Sequence, residues 1–144
     1  MRVLLDTDVV LDLLLDREPF AQAAAGLWEL NERNRIEAHI SAITPVNVFY
    51  IARKLKGGDA ARQIVGELLT ALRVCPVDAS VLRNASGAPF KDHEDAVQHA
   101  AASASLLDAI ITRNTADYTA ATLPIYTPGD FLNRINERQK PPHE

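Results

Sequence analysis

The sequence predicts an α/β domain in three layers, αβα, around a central, mostly parallel sheet of four to five strands. Two observations carry this. Short apolar runs such as Val3-Leu4-Leu5 and Ala109-Ile110-Ile111 lack the in–out alternation of a half-exposed strand, so they read as strands buried on both faces. Longer segments lie between them, with apolar residues at helical spacing. Strands that alternate with helices imply parallel crossovers.

Val3–Leu5 is the first strand. Two carboxylates, Asp6 and Asp8, follow it at once, and apolar residues resume at Val9. Asp8, directly before that run, is the better N-cap for a first helix. Pro19 opens a second helix, with Phe20, Ala23, Ala24, Leu27, Trp28 and Leu30 on one stripe to about Asn34. Glu37–Ser41 is the second strand. Thr44 caps and Pro45 starts a third helix through Val48, Phe49, Ile51, Ala52 and Leu55, which Gly57-Gly58 stops. Asp59 caps a fourth, through Leu72. Val74–Val77 is the third strand, and Asp78 caps a short helix through Leu82. Ser86–Pro89 is a loop, and residues 93–105 form an alanine-rich helix. Asp108–Thr112 and Pro124–Tyr126 complete the sheet, and Thr127-Pro128 starts a last helix through Ile135. No repeat, linker or second domain interrupts the pattern: residues 1–137 are one domain and 138–144 a disordered tail.

Composition narrows the function. A chain of 144 residues with 47% hydrophobic content suits one ordinary core. The net charge is −4, so no overall positive field draws in nucleic acid, which argues against a passive DNA or RNA binder. An enzyme that meets phosphate through a metal ion stays open. Cys75 is the one cysteine, set in the apolar stretch Arg73–Val77, so it reads as a core residue and not as part of a disulfide or thiolate zinc site. The opening apolar stretch is broken by Asp6 and Asp8, unlike a signal peptide, and no run approaches the ~20 apolar residues of a membrane span. A soluble, cytoplasmic protein is expected.

In a parallel sheet, ligands bind beyond the carboxyl ends of the strands, where Asp6 stands. A carboxylate desolvated there is costly unless paired or coordinated. Further acids fall at comparable places. Asp92, Glu94 and Asp95 surround the start of the alanine-rich helix, where Asp92 and Glu94 can serve its dipole, while Asp95 lies against the apolar stripe. Asn114 and Asp117 follow the fourth strand; Asp108 opens it and reads as a rim acid. Hard oxygen ligands from separate strand ends suit Mg2+ or Mn2+ rather than zinc. His39, His93, His99 and His143 show no ligand spacing, and Gly57-Gly58 lacks the Lys-Ser/Thr of a phosphate-binding loop.

With these residues in place, the chain resembles the PIN domain nucleases, especially the VapC-like toxins of bacterial toxin–antitoxin pairs. The resemblance rests on Val3-Leu4-Leu5-Asp6-Thr7-Asp8-Val9-Val10-Leu11-Asp12, Ile40-Ser41-Ala42-Ile43-Thr44, Asp95-Ala96-Val97-Gln98, and Ile110-Ile111-Thr112-Arg113-Asn114 followed by Asp117-Tyr118. It covers essentially residues 1–135. It implies an endoribonuclease that cleaves single-stranded RNA with Mg2+ or Mn2+, held by Asp6, Asp95 and Asp117, with Asn114 the alternative to Asp117 as last ligand. Thr7, Asp8, Asn47, Asn114 and Asp92 would support them, and Arg113 or Lys91 would steer the RNA backbone. It also implies an antitoxin partner, no membrane, and a homodimer through apolar helical residues such as Phe49, Tyr50 and Leu55. Two positions depart from the family pattern. Asp8 replaces a usual Asn, and Asn47 stands where many members have a Glu, removing about one negative charge from the site. Two alternatives remain. One is a catalytically weak binding module. The other is a haloacid-dehalogenase-type phosphatase with Asp6 as nucleophile and Asp8 as acid/base, for which Gly129-Asp130 offers the only late acid.

Overall fold

The computed structural model describes residues 1–139; the disordered tail expected at the chain end lies, from residue 140 on, outside the described residues. Five strands form one sheet: β1 (Arg2–Leu5), β2 (Glu37–Ser41), β3 (Arg73–Cys75), β4 (Ala109–Ile111) and β5 (Ile125–Tyr126). Their order is β3-β2-β1-β4-β5 and every pairing is parallel, with Leu4 opposite His39 on one side and Ile110 on the other. Among the described residues, seven helices cover the sheet: α1 (Thr7–Leu14), α2 (Ala21–Glu32), α3 (Ile43–Lys56), α4 (Gly58–Ala71), α5 (Ala79–Gly87), α6 (His93–Ala104) and α7 (Pro128–Gln139). A 3-10 turn, Thr115–Tyr118, follows β4. No described helix is long and apolar enough to cross a membrane.

Adjacent residues of β1 point to opposite cores, as strand geometry requires. Val3 and Leu5 join Ile40 and Ile111 against Val9, Leu27, Val48, Leu68 and Phe131, contributed by α1, α2, α3, α4 and α7. Leu4 joins Ile110 and Cys75 against Val81 and Ala85 of α5 and Val97 and Ala101 of α6. Cys75 is thus a buried core residue, its Sγ 3.7 Å from His39 Nδ1.

The expected elements are present, with differences at their ends. Asp6, not Asp8, caps α1. The strand runs into the helix without a linker, so Asp6 keeps extended geometry (ψ 148°) while its carboxylate accepts from the Asp8 amide at a long 3.5 Å. Thr44 is no cap either. α3 starts two residues earlier than expected, at Ile43, and the Thr44 hydroxyl is buried against Thr7 Oγ1 at 2.9 Å. Asp59 lies inside α4, whose cap is Gly57 at φ 91°. Asp78 and Asp92 do cap, accepting from the amides of Val81 and Asp95. The helix that Asp78 caps, α5, carries on through Ser86-Gly87, where a loop was expected.

β1 has its sequence neighbours on one side and β4 on the other. Chains leaving its end and that of β4 diverge, opening a crevice beyond their carboxyl ends.

Candidate active site

Asp6 sits at the mouth of that crevice. Its amide donates to Ile111 O at 2.9 Å, extending the β1–β4 ladder one step past the strands and holding the residue against β4. The carboxylate is 5% exposed and accepts from Thr112 Oγ1 (2.7 Å, to Oδ2) and Gln98 Nε2 (3.1 Å, to Oδ1). Burial outweighs these hydrogen bonds and raises its pKa above the ordinary carboxylate range.

Asp95 faces it from the first turn of α6, where the Asp92 cap begins the helix. Tyr118, 2% exposed in the 3-10 turn, donates its hydroxyl to Asp95 Oδ1 at 3.2 Å and accepts from Gln98 Nε2 at 3.3 Å. Burial first, then the charges of Asp6 and Asp92, push Asp95 up to about 7, and Asp117 adds to the effect. Around these groups lies a cleft of about 440 Å3. All eight residues singled out from the sequence line it: Asp6, Thr7, Asp8, Asn47, Asp92, Asp95, Asn114 and Asp117. Glu94, Leu11, Tyr50 and Ile51 complete the wall, so six lining residues are carboxylates and none is cationic.

Sequence reasoning missed the groups behind the wall. Gln98 and Thr112 are fully buried and both bond Asp6; Tyr118 bridges to Asp95. Gln98 did leave a signal: a large polar residue in an alanine-rich helix must find partners once buried. Arg113 belongs elsewhere. Its Nε stands 2.8 Å from Asp12 Oδ2, a carboxylate 1% exposed, and its guanidinium lies 4.1 Å over the Phe20 ring. It is therefore a structural cation outside the cleft wall. Lys91 is exposed and is likewise absent from the wall.

The donor set fits a hard divalent ion. Every polar group on the wall offers oxygen, or an amide that contains one, and the unrelieved like charge at Asp95 is what a cation would offset. Among the described residues, no three acid, histidine or cysteine side chains are gathered tightly enough to clasp one ion unaided. Mg2+ does not need that, since it keeps several waters and takes one or two carboxylates with substrate phosphate.

The PIN domain family model matches residues 2–116. No curated protein matches the sequence significantly. Among solved structures, VapBC2 from Rickettsia felis, bound to a DNA fragment from its promoter, superposes with a TM-score of 0.69 at 16% identity, over 87% of this chain and 97% of that one. A toxin–antitoxin complex from Klebsiella pneumoniae gives 0.65 at 22%, over 88% and 97%. The sarcin-ricin-loop-cleaving toxin VapC20 of Mycobacterium tuberculosis gives 0.60 at 16%, over 75% and 86%. At these identities the likeness is one of fold.

Proposed function

The chain belongs to the PIN domain family, and from that premise we propose that it is a Mg2+- or Mn2+-dependent endoribonuclease that cleaves single-stranded RNA as the toxin of a toxin–antitoxin pair. The observation that carries the reading is the convergence of Asp6 and Asp95 in a cleft walled by six carboxylates without one cation. The Klebsiella pneumoniae and Mycobacterium tuberculosis neighbours, one a toxin–antitoxin complex and the other an RNA-loop-cleaving toxin, support the biological role.

Asp6, Asp95 and Asp117 hold the ion in this reading, with Thr7, Asp8, Asn47, Asn114 and Asp92 around them. When bound, the ion supplies a Lewis acid that binds phosphate and lowers the pKa of attacking water. The protein's own part is to concentrate negative charge and to keep it ordered. Thr112 and Gln98 hold the Asp6 carboxylate from behind, so it meets the cleft in one orientation. The Asn47 and Asn114 amides can donate to phosphate oxygens without adding repulsion. An acidic wall repels RNA until a cation offsets it, which makes cleavage depend on the metal. An antitoxin is expected to lay an amphipathic segment along an apolar groove beside α2 and α3.

The binding-module alternative has one specific observation in its favour, the neutral Asn47 on the cleft wall. The phosphatase has less: Asp130, its late acid, opens α7 and does not line the cleft. Purified protein incubated with single-stranded RNA separates the readings. Cleavage should need millimolar Mg2+ or be rescued by Mn2+, stop with chelator, and fall at least ~100-fold in Asp6→Asn, which removes a charged ligand from the centre of the site. Asn47→Glu should strengthen metal binding and activity. Cleavage indifferent to both chelator and Asp6→Asn would mean a contaminant, and the binding module would then replace the nuclease.

A further inference from the structure

The hydrogen bonds behind the cleft have a fixed direction. A backbone amide can only donate, and the Thr7 N–H meets Gln98 Oε1 at 3.2 Å. This sets the orientation of the buried Gln98 amide, so both of its hydrogens point the other way, to Asp6 Oδ1 (3.1 Å) and Tyr118 Oη (3.3 Å). Having accepted that bond, the Tyr118 hydroxyl delivers its single proton to Asp95 Oδ1 at 3.2 Å. The Thr112 hydroxyl is fixed in the same way, accepting from the Asn114 amide (3.1 Å) and donating to Asp6 Oδ2 (2.7 Å).

One oxygen of Asp95 is therefore engaged and the other, Oδ2, has no hydrogen-bond partner among the described residues. The hydrogen bond uses one lone pair of Oδ1 and fixes the carboxylate's rotation, which favours ligation through Oδ2 over chelation by both oxygens. Mg2+ and Mn2+ accept this, because a small octahedral ion takes one oxygen per ligand. Ca2+ gains from two-oxygen chelation by the same group.

We propose that Tyr118, its hydroxyl oriented by Gln98, is a positioning residue that presents Asp95 as a one-oxygen ligand and so biases the cleft toward a small octahedral cation over Ca2+. The inference rests on the metal-dependent reading above, and its test separates the two. Manganese chloride and calcium chloride are each titrated calorimetrically into the full chain, stripped with chelator and free of RNA, as wild type and as Tyr118→Phe. The substitution keeps the buried ring, whose edge meets Phe90 at a centroid distance of 5.9 Å, and removes only the hydroxyl. The ratio of the two dissociation constants is the readout, since general loosening of the core weakens both ions alike. Wild type should favour Mn2+, and Tyr118→Phe should narrow the preference about tenfold, the scale on which partners of metal ligands act. A ratio unchanged within about twofold would overturn the role of Tyr118 while leaving the metal site standing. If wild type binds neither ion at millimolar concentration, and still neither after a non-cleavable phosphorothioate RNA is added to complete the site, the metal reading falls and this inference with it.

Discussion

At the scale of the residue, Asp95 makes the metal-free protein sensitive to pH. Its folded pKa of about 7 lies above the ordinary 3.8, so between those values the folded state holds a proton that the unfolded chain has lost. The stability tied to that proton is complete below about pH 4 and gone once pH has risen through 7. Asp95→Asn removes the dependence. In chelator, the variant should melt above wild type at pH 8 by on the order of 1 kcal/mol, after allowance for solvent screening at a half-buried group, and the gap should close toward pH 4. A gap that stays constant between pH 5 and pH 8 would refute this. Asp12 and Arg113 make the second residue-scale case. Removing one partner of a buried pair leaves the other charge uncompensated, so Arg113→Ala should cost about 3 kcal/mol in urea unfolding. Asp12→Leu combined with Arg113→Leu should cost less than the single change; if it costs more, the pair stabilises the fold outright. Asp6, Asp8 and Asp95 stood out in the sequence as acids set against apolar runs, and Asp117 as an acid that follows a strand end; Asp92 and Glu94 read only as partners of a helix dipole. The Asp12–Arg113 pair was not legible, because nothing local marks two residues on separate elements as neighbours.

At the scale of the element, glycine shows how much the backbone decides. Gly57 joins α3 to α4 at φ 91° and ψ 166°, a region that side-chain-bearing residues rarely adopt, although an added Cβ there would meet nothing within 4 Å. Gly66 lies exposed inside α4, where an added Cβ also meets nothing. The two should respond in opposite directions. Gly57→Ala should destabilise by about 1–3 kcal/mol through backbone strain. Gly66→Ala should stabilise by about 0.5–1 kcal/mol through helix propensity and a less flexible unfolded chain. Thermal melts of the two variants check this, and a shared sign would refute it. Helices and strands could be located from periodicity, and Gly57-Gly58 marked the break between two helices. Element ends were harder to read. Whether Asp6, Asp8, Ala42 or Thr44 caps a helix depends on how tightly a strand turns into it and on what is buried beneath, as the Thr7–Thr44 contact shows.

For the whole molecule, parallel order followed from apolar strands separated by helices. Strand sequence within the sheet did not, because it depends on which crossover lies on which face. The same packing leaves Tyr50 and Leu55 of α3 exposed at 57% and 64%, with Leu69 of α4 at 49%. The homodimer proposed through Phe49, Tyr50 and Leu55 would cover that surface. Light scattering at tens of micromolar should report twice the mass of one chain, and Tyr50→Lys should return it to the monomer; a monomeric wild type would exclude the dimer.

β1 comes from the first residues of the chain, yet it lies between partners that are synthesised at very different times. β2 is available by residue 41, while β4, against which Asp6 is held, must wait for residue 111, and Tyr118 comes later still. A nascent chain can therefore build half a sheet early but cannot assemble the cleft until the residues through Tyr118 have left the ribosome. For an enzyme proposed to cut RNA inside the cell that translates it, this order of emergence delays the active form until Tyr118 has joined the earlier elements.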